Sequence, residues 1–153
     1  MRKEKGRKKI HKERYYFFLN PYVEYAFTKC PECDTKTKIR KFCLVIHVEP
    51  RHLLSLNKIC RYCPYCDLII VKKQELEQLL CITCEQNNFS EIIGNEYTVY
   101  GTVERKIWKQ GQQKKLDAKQ LINSMYLFKN IWLFEVNPGG WVYNPDKAET
   151  SRL

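Results

Sequence analysis

Long apolar runs are missing from this 153-residue chain. None approaches the ~18–20 residues that a helix needs to cross a bilayer, which excludes a helical membrane span. The N-terminus is basic but lacks an apolar stretch and a small-residue cleavage site, so it does not read as a secretory leader. Glycine is sparse, with six residues, and no Gly-rich phosphate loop occurs; with three histidines there is no H-E-x-x-H either. No nucleophile and base stand in a coherent set. Glu104, Asp117 and Glu135 are scattered carboxylates that read as a helix cap and surface charges. Acidic residues are also few, 17 against 27 lysines and arginines. These absences point to a cytoplasmic, non-catalytic protein; a thiol redox centre at Cys60 or Cys81 is the best-founded enzymatic alternative.

The net charge of +10 is unevenly spread. Residues 1–14 hold eight basic residues against Glu4 and Glu13, so this segment alone carries +6. Such a tail either solvates a flexible terminus or touches phosphate. Beyond it, 44% hydrophobic and 13% aromatic residues suffice for a core.

Eight cysteines are present. In a chain without a secretory leader, C-x-x-C pairs favour metal over disulfides. Cys30-Pro31-Glu32-Cys33-Asp34 and Cys63-Pro64-Tyr65-Cys66-Asp67 share the frame Cys-Pro-x-Cys-Asp, repeated 33 positions apart. A two-residue gap suits a tight turn that aims two thiolates and some backbone N–H groups at one ion. Two such turns supply the four sulfurs of a closed tetrahedral zinc site. Cys30, Cys33, Cys63 and Cys66 are therefore the expected ligands of one structural Zn2+. Cys60-Arg61-Tyr62-Cys63 is a competing pair, but only Cys63 with Cys66 reproduces the proline and the trailing aspartate. A second ion on Cys81 and Cys84 would have to draw on Cys43, Cys60, His47 and His52; the plainer reading packs Cys84 as a small hydrophobe on a helix.

The expected organisation is an α+β protein: a basic tail over 1–14, a zinc-ribbon-like antiparallel half over 15–86 ending in a helix, and a smaller β-rich unit with one helix over 97–146. The aromatic block at 15–19 reads as a strand, as do residues 23–27, 42–48, 68–71, 97–103, 131–136 and 141–143. Leucines 53, 54 and 56 suggest a helical turn over 51–58. Leu76, Leu79, Leu80 and Cys84 give residues 72–84 a helical stripe. Residues 85–96 are polar and mark a boundary. Residues 105–109 and the following 111–115 read as a basic loop, and Asp117 with Gln120 opens a last helix carrying Leu121, Ile122, Met125 and Phe128.

The paired Cys-Pro-x-Cys turns resemble those of the zinc-ribbon superfamily, over residues 26–71. That resemblance implies two knuckle-bearing hairpins around a structural zinc. Asp34 and Asp67 depart from it, standing where ribbons usually have glycine, and the 29 residues between Cys33 and Cys63 make a longer gap than most ribbons have. Residues 56–67 are also similar to a bacterial zinc-ribbon family, which implies no activity. The same gap looks like that of rubredoxin, an iron electron carrier, although rubredoxins are acidic where residues 36–51 are basic here.

Four thiolates leave no open position for water, so the metal's role is to hold the fold. The surface around it is then the functional part. Lys36, Lys38, Arg40, Lys41, Arg51, Arg61, Arg105, Lys106, Trp108 and Lys109 form a cationic, partly aromatic set of the kind that binds nucleic acid with weak sequence preference. The alternative is an accessory subunit of a larger complex, docking through Tyr97, Tyr100, Trp108, Trp132, Trp141 and Tyr143.

Overall fold

A computed structural model describes residues 12–112, 118–137 and 140–143. The tail through residue 11, the Asp117 cap, residues 113–115 of the basic loop, the Pro138-Gly139 turn and the end from Asn144 lie outside them. The described strands are β1 (Lys12–Glu13), β2 (Tyr16–Asn20), β3 (Lys38–Val48), β4 (His52–Cys63), β5 (Leu68–Lys72), β6 (Tyr97–Val103), β7 (Tyr126–Leu127), β8 (Asn130–Trp132), β9 (Phe134–Asn137) and β10 (Gly140–Tyr143). The helices are α1 (Lys73–Gln86), α2 (Arg105–Gln112) and α3 (Ala118–Ser124), with a 3-10 turn at Ser90–Ile92. Eight strands form one mixed sheet in the order β1-β7-β6-β3-β4-β5-β2-β8, and β9 pairs with β10 apart from it.

The centre of the sheet is a long antiparallel hairpin, β3 with β4, whose ladder runs from Lys38 opposite Tyr62 to Val48 opposite His52. Both faces of β3 are covered. Phe42, Leu44, Ile46 and Val48 point to the side packed by Leu76, Leu80 and Cys84 of α1. Cys43 and Val45 point to the other side, against Leu121 of α3 and Met125, with Ile107 and Trp108 of α2 beside them. A strand buried twice over loses its alternation, which is why residues 42–48 read as a continuous apolar run.

The expected antiparallel pattern holds for β3, β4 and β5. The aromatic block does not follow it: β2 enters parallel to β5, and β8 lies parallel to β2 on the outside. Residues 51–58 form strand, not a helical turn. Leu53, Leu54 and Leu56 sit opposite His47, Ile46 and Leu44, so cross-strand pairing outweighs their helical spacing. Residues 23–27 form turns and irregular chain instead of a strand, with Val23 63% exposed. The basic loop is helical over α2, and the single strand expected at 131–136 is two, broken at Leu133 where the chain passes to the β9–β10 pair.

On the far side of β3, Val45 faces Gly101 and Ile46 faces Val99, leaving Tyr100 as an extra residue in β6. Tyr100 turns its carbonyl to the Phe128 N–H at 3.0 Å. Gly101 then lies so close to β7 that a Cβ there would fall 1.9 Å from the Tyr126 carbonyl oxygen. None of the described helices is long and apolar enough to cross a membrane.

Candidate metal centre

The second cysteine turn closes the β4–β5 hairpin, with Cys63 opposite Leu68 at the last ladder position. The first closes a smaller loop pinned by the Lys29–Lys36 bridge and by the Thr37 N–H on the Thr28 carbonyl at 2.9 Å. Within that loop the Cys30 N–H reaches the Thr35 carbonyl and the Asp34 N–H reaches the Cys30 carbonyl, both at 2.8 Å. Asp34 and Asp67 adopt left-handed backbone at φ 64° and 57°. The aspartates thus take the conformation that glycine gives a ribbon turn, one that Asp tolerates better than most residues.

The two turns bring their sulfurs together. All four Sγ atoms, of Cys30, Cys33, Cys63 and Cys66, lie within 4.8 Å of one another. Cys33 and Cys63 are 3.5 Å apart, and Cys30 and Cys66 are 3.9 Å apart. Sulfurs at ~2.3 Å from one tetrahedral ion are separated by ~3.8 Å. A disulfide would need about 2.05 Å, and every described cysteine is free. The cluster therefore fits a single metal ion. Backbone N–H groups already face it, Glu32 on the Cys30 sulfur and Cys66 on the Cys63 sulfur, each at 3.4 Å.

Surroundings divide the cluster in two. Cys30 and Cys63 are buried in an apolar wall with Phe18, Phe27, Leu68 and Phe134, whereas Cys33 is exposed. Burial pushes the Cys30 thiol up to about 12, and burial with the neighbouring sulfurs raises Cys66 as well. Burial of Cys33 acts in the same direction, but the Thr35 hydroxyl at 3.2 Å, the Thr35 backbone and the sulfurs of Cys63 and Cys66 outweigh it and bring Cys33 down to about 7. An ion held by all four as thiolates must displace the protons of Cys30 and Cys66 at any neutral pH. At least two protons would be released per ion, so metal affinity is expected to fall by about 100-fold or more for each pH unit lowered, measurable by competition with a chromophoric chelator between pH 8 and 6.

Asp67 also ties the metal turn to the sheet. Its carboxylate accepts a hydrogen bond from the Tyr62 hydroxyl, and its backbone carbonyl accepts the Tyr16 N–H at 2.8 Å. No comparable side-chain bond is made by Asp34 among the described residues. Asp34→Gly is thus expected to leave stability unchanged or raise it by up to about 1 kcal/mol, and Asp67→Gly to lower it by about 1 kcal/mol or more in chemical denaturation, because only the second also removes a hydrogen bond.

The remaining cysteines do not join the cluster. Cys60 faces the α1 side, buried, with its thiol pushed up to about 12 by that burial. Cys43 is buried on the other face, and Cys84 packs beneath α1. Among the described residues no third ligand joins Cys81 and Cys84; these two border a cavity of about 310 Å³ together with Leu80, Ile92 and Tyr97.

Of the expected cationic set, Lys36 is exposed after the first turn, and Lys38, Arg40 and Lys41 are exposed on the first residues of β3. Arg61 is half-buried on β4, opposite Ile39. Arg105, Lys106 and Lys109 are exposed on α2, while Trp108 is half-buried against the Cys43–Val45 cluster. Arg51 lies at the other end of the hairpin, roughly 25–30 Å of strand from Arg40. Arg40, Lys41 and Arg105 converge on one notch with Arg14, which the sequence counts only as the last cation of the basic tail, and with Tyr126. Its place directly before the aromatic block separates Arg14 from the rest of that tail; nothing in the sequence marks Tyr126. The aromatic residues considered as docking anchors largely turn inward: Trp132 stacks on Tyr16 at 4.6 Å, and Trp141 packs on Phe27 at 4.7 Å. Compared with known proteins, the chain matches no family model, no curated protein and no solved structure.

Proposed function

We propose that this is a zinc-binding, non-catalytic protein in which one ion fixes the end of the β3–β4–β5 sheet so that its cations can bind nucleic acid. The zinc-ribbon resemblance of residues 26–71 favours zinc over the iron of a rubredoxin-like carrier, and the basic surface beside the site favours it again. The four cysteines would hold the ion, whose contribution is structural.

The observation that carries the nucleic-acid reading is the run Lys36, Lys38, Arg40 and Lys41. All four are exposed, all leave the first cysteine turn in one stretch, and none is ion-paired with a carboxylate among the described residues. Unpaired cations on paired backbone, three on β3 and Lys36 in the bridge to Lys29, cost little ordering when they meet phosphates. Each phosphate neutralised on a single strand contributes a slope of about −0.7 in log affinity against log salt. Four contacts therefore mean a loss of about 50-fold between 50 and 200 mM salt. Fluorescence anisotropy with a labelled oligonucleotide measures this; an affinity that does not move with salt, or no binding, contradicts the reading.

The accessory-subunit reading keeps one supporting observation. Val23, Tyr25, Val136 and Val142 are each exposed by more than 40%, on segments next to Trp141. A stoichiometric protein partner that survives nuclease treatment during purification from the native host would favour that reading.

A further inference from the structure

Beta-strand β3 runs past the end of β6. Its ladder with β6 begins at Cys43, so the outward edge of residues 38–42 meets no strand among the described residues. The gap is a notch of about 250 Å³. Arg14, Arg40, Lys41 and Arg105 reach it, against a single carboxylate, Glu104, and Asn57 and Tyr126 border it. None of the four cations has a carboxylate partner among the described residues.

The aromatic arrangement differs from that of an ordinary cationic patch. The Arg14 guanidinium lies over the Tyr15 ring at 4.7 Å and over the Tyr126 ring at 5.8 Å. The Arg40 guanidinium lies over Phe42 at 4.7 Å and over Tyr62 at 5.0 Å, with the Tyr15 hydroxyl accepting from it at 3.4 Å. Guanidiniums held over rings are restricted in where they can move, and a planar guanidinium offers a stacking surface and phosphate-binding N–H groups at once. Ring-backed guanidiniums, a partly exposed Tyr126 ring and a cavity below the size of most small-molecule pockets suit one unstacked base with its phosphate.

We infer that this notch is a binding site for single-stranded nucleic acid, taking one extruded base and the adjoining phosphate between Arg14, Arg40, Arg105 and Tyr126. The inference rests on the nucleic-acid reading above and narrows it to unpaired strands. A duplex can offer the exposed lysines its phosphates, but it can fill the notch only by breaking a pair and unstacking a base. The Tyr62–Asp67 bond places the same Arg40-bearing ring cluster next to the metal turn, so the notch is shaped by the end of the sheet that the ion would fix.

The test compares an RNA of about 12 nucleotides, single-stranded and annealed to its complement, on the metal-loaded full chain at about 100 mM salt. The single strand is expected to bind about tenfold or more tightly than the duplex. Arg14→Gln/Arg105→Gln, both at exposed positions, is expected to bring the two affinities within about twofold of each other. Lys36→Gln/Lys38→Gln, outside the notch, is expected to weaken both in proportion and leave their ratio unchanged. Tyr126→Phe keeps the ring and is expected to keep the preference. Equal affinities for the two forms, or a preference that survives Arg14→Gln/Arg105→Gln, overturn the notch while leaving the general nucleic-acid reading in place. Failure of both RNAs to bind overturns both.

Discussion

Replacing Cys63 with serine is expected to abolish metal binding and cooperative folding together, whereas Cys60→Ser, three residues upstream, is expected to retain one ion per chain. The two cysteines lie on opposite faces of β4. Cys63 is fully buried at the last rung of the β4–β5 ladder, 3.5 Å from the Cys33 sulfur. Cys60 belongs to the core beneath α1, its sulfur 3.4 Å from the Lys58 carbonyl oxygen. A structural zinc contributes on the order of 10–16 kcal/mol of apparent binding energy, comparable to or larger than the whole net stability of a domain, about 5–15 kcal/mol. Serine offers no thiolate, so Cys63→Ser forfeits most of that term. Cys60→Ser exchanges one small buried side chain for a slightly more polar one, at a cost of about 1–3 kcal/mol. Metal content by elemental analysis, read beside a thermal melt, separates the two variants. Equal metal content in both would show that the ligands are wrongly assigned.

Gly101→Ala is expected to destabilise the chain by about 3 kcal/mol or more, since the new methyl would stand 1.9 Å from the Tyr126 carbonyl oxygen and the obstacle is backbone that cannot rotate away. To admit it, β6 and β7 must part. That breaks the pairing of Gly101 with Leu127 and of Thr102 with Tyr126, and among the described strands β1 joins the sheet through β7 alone. A loss of this size corresponds to a fall in Tm of about 6–12 °C. The metal site lies across the sheet at the β4–β5 turn, so one ion per chain should remain. A melt within a degree of the unmodified chain would show that the close approach is not a constraint.

The parts of this molecule that the sequence disclosed are those decided locally. Two identical turn frames disclosed the thiolate cluster, because the chemistry of a tetrahedral sulfur site fixes both spacing and residue type. The stripe of Leu76, Leu80 and Cys84 disclosed α1, and the alternating aromatics and β-branched residues at 97–103 disclosed β6. What stayed hidden was decided at long range. Leu53, Leu54 and Leu56 are as compatible with a helical turn as with strand, until β3 is laid beside them. The parallel entry of β2 between β5 and β8 joins residues more than fifty and more than a hundred positions apart, which no periodicity can announce. The same holds for the notch. Arg14, Arg40 and Arg105 come from three separate segments, and only the early end of β6 gathers them. Trp108 shows the converse: its basic neighbours suggested a stacking residue, while its place on α2 half-buries it against Cys43 and Val45.

Native mass spectrometry of the full chain, purified without added metal and followed through chelation, tests the thiolate cluster most directly. One ion per chain is expected, with the charge-state distribution shifting from folded to unfolded as that ion is withdrawn, and returning when zinc is restored. A chain that keeps its compact charge states with no metal bound would contradict the assignment of Cys30, Cys33, Cys63 and Cys66 as the clasp that holds this sheet.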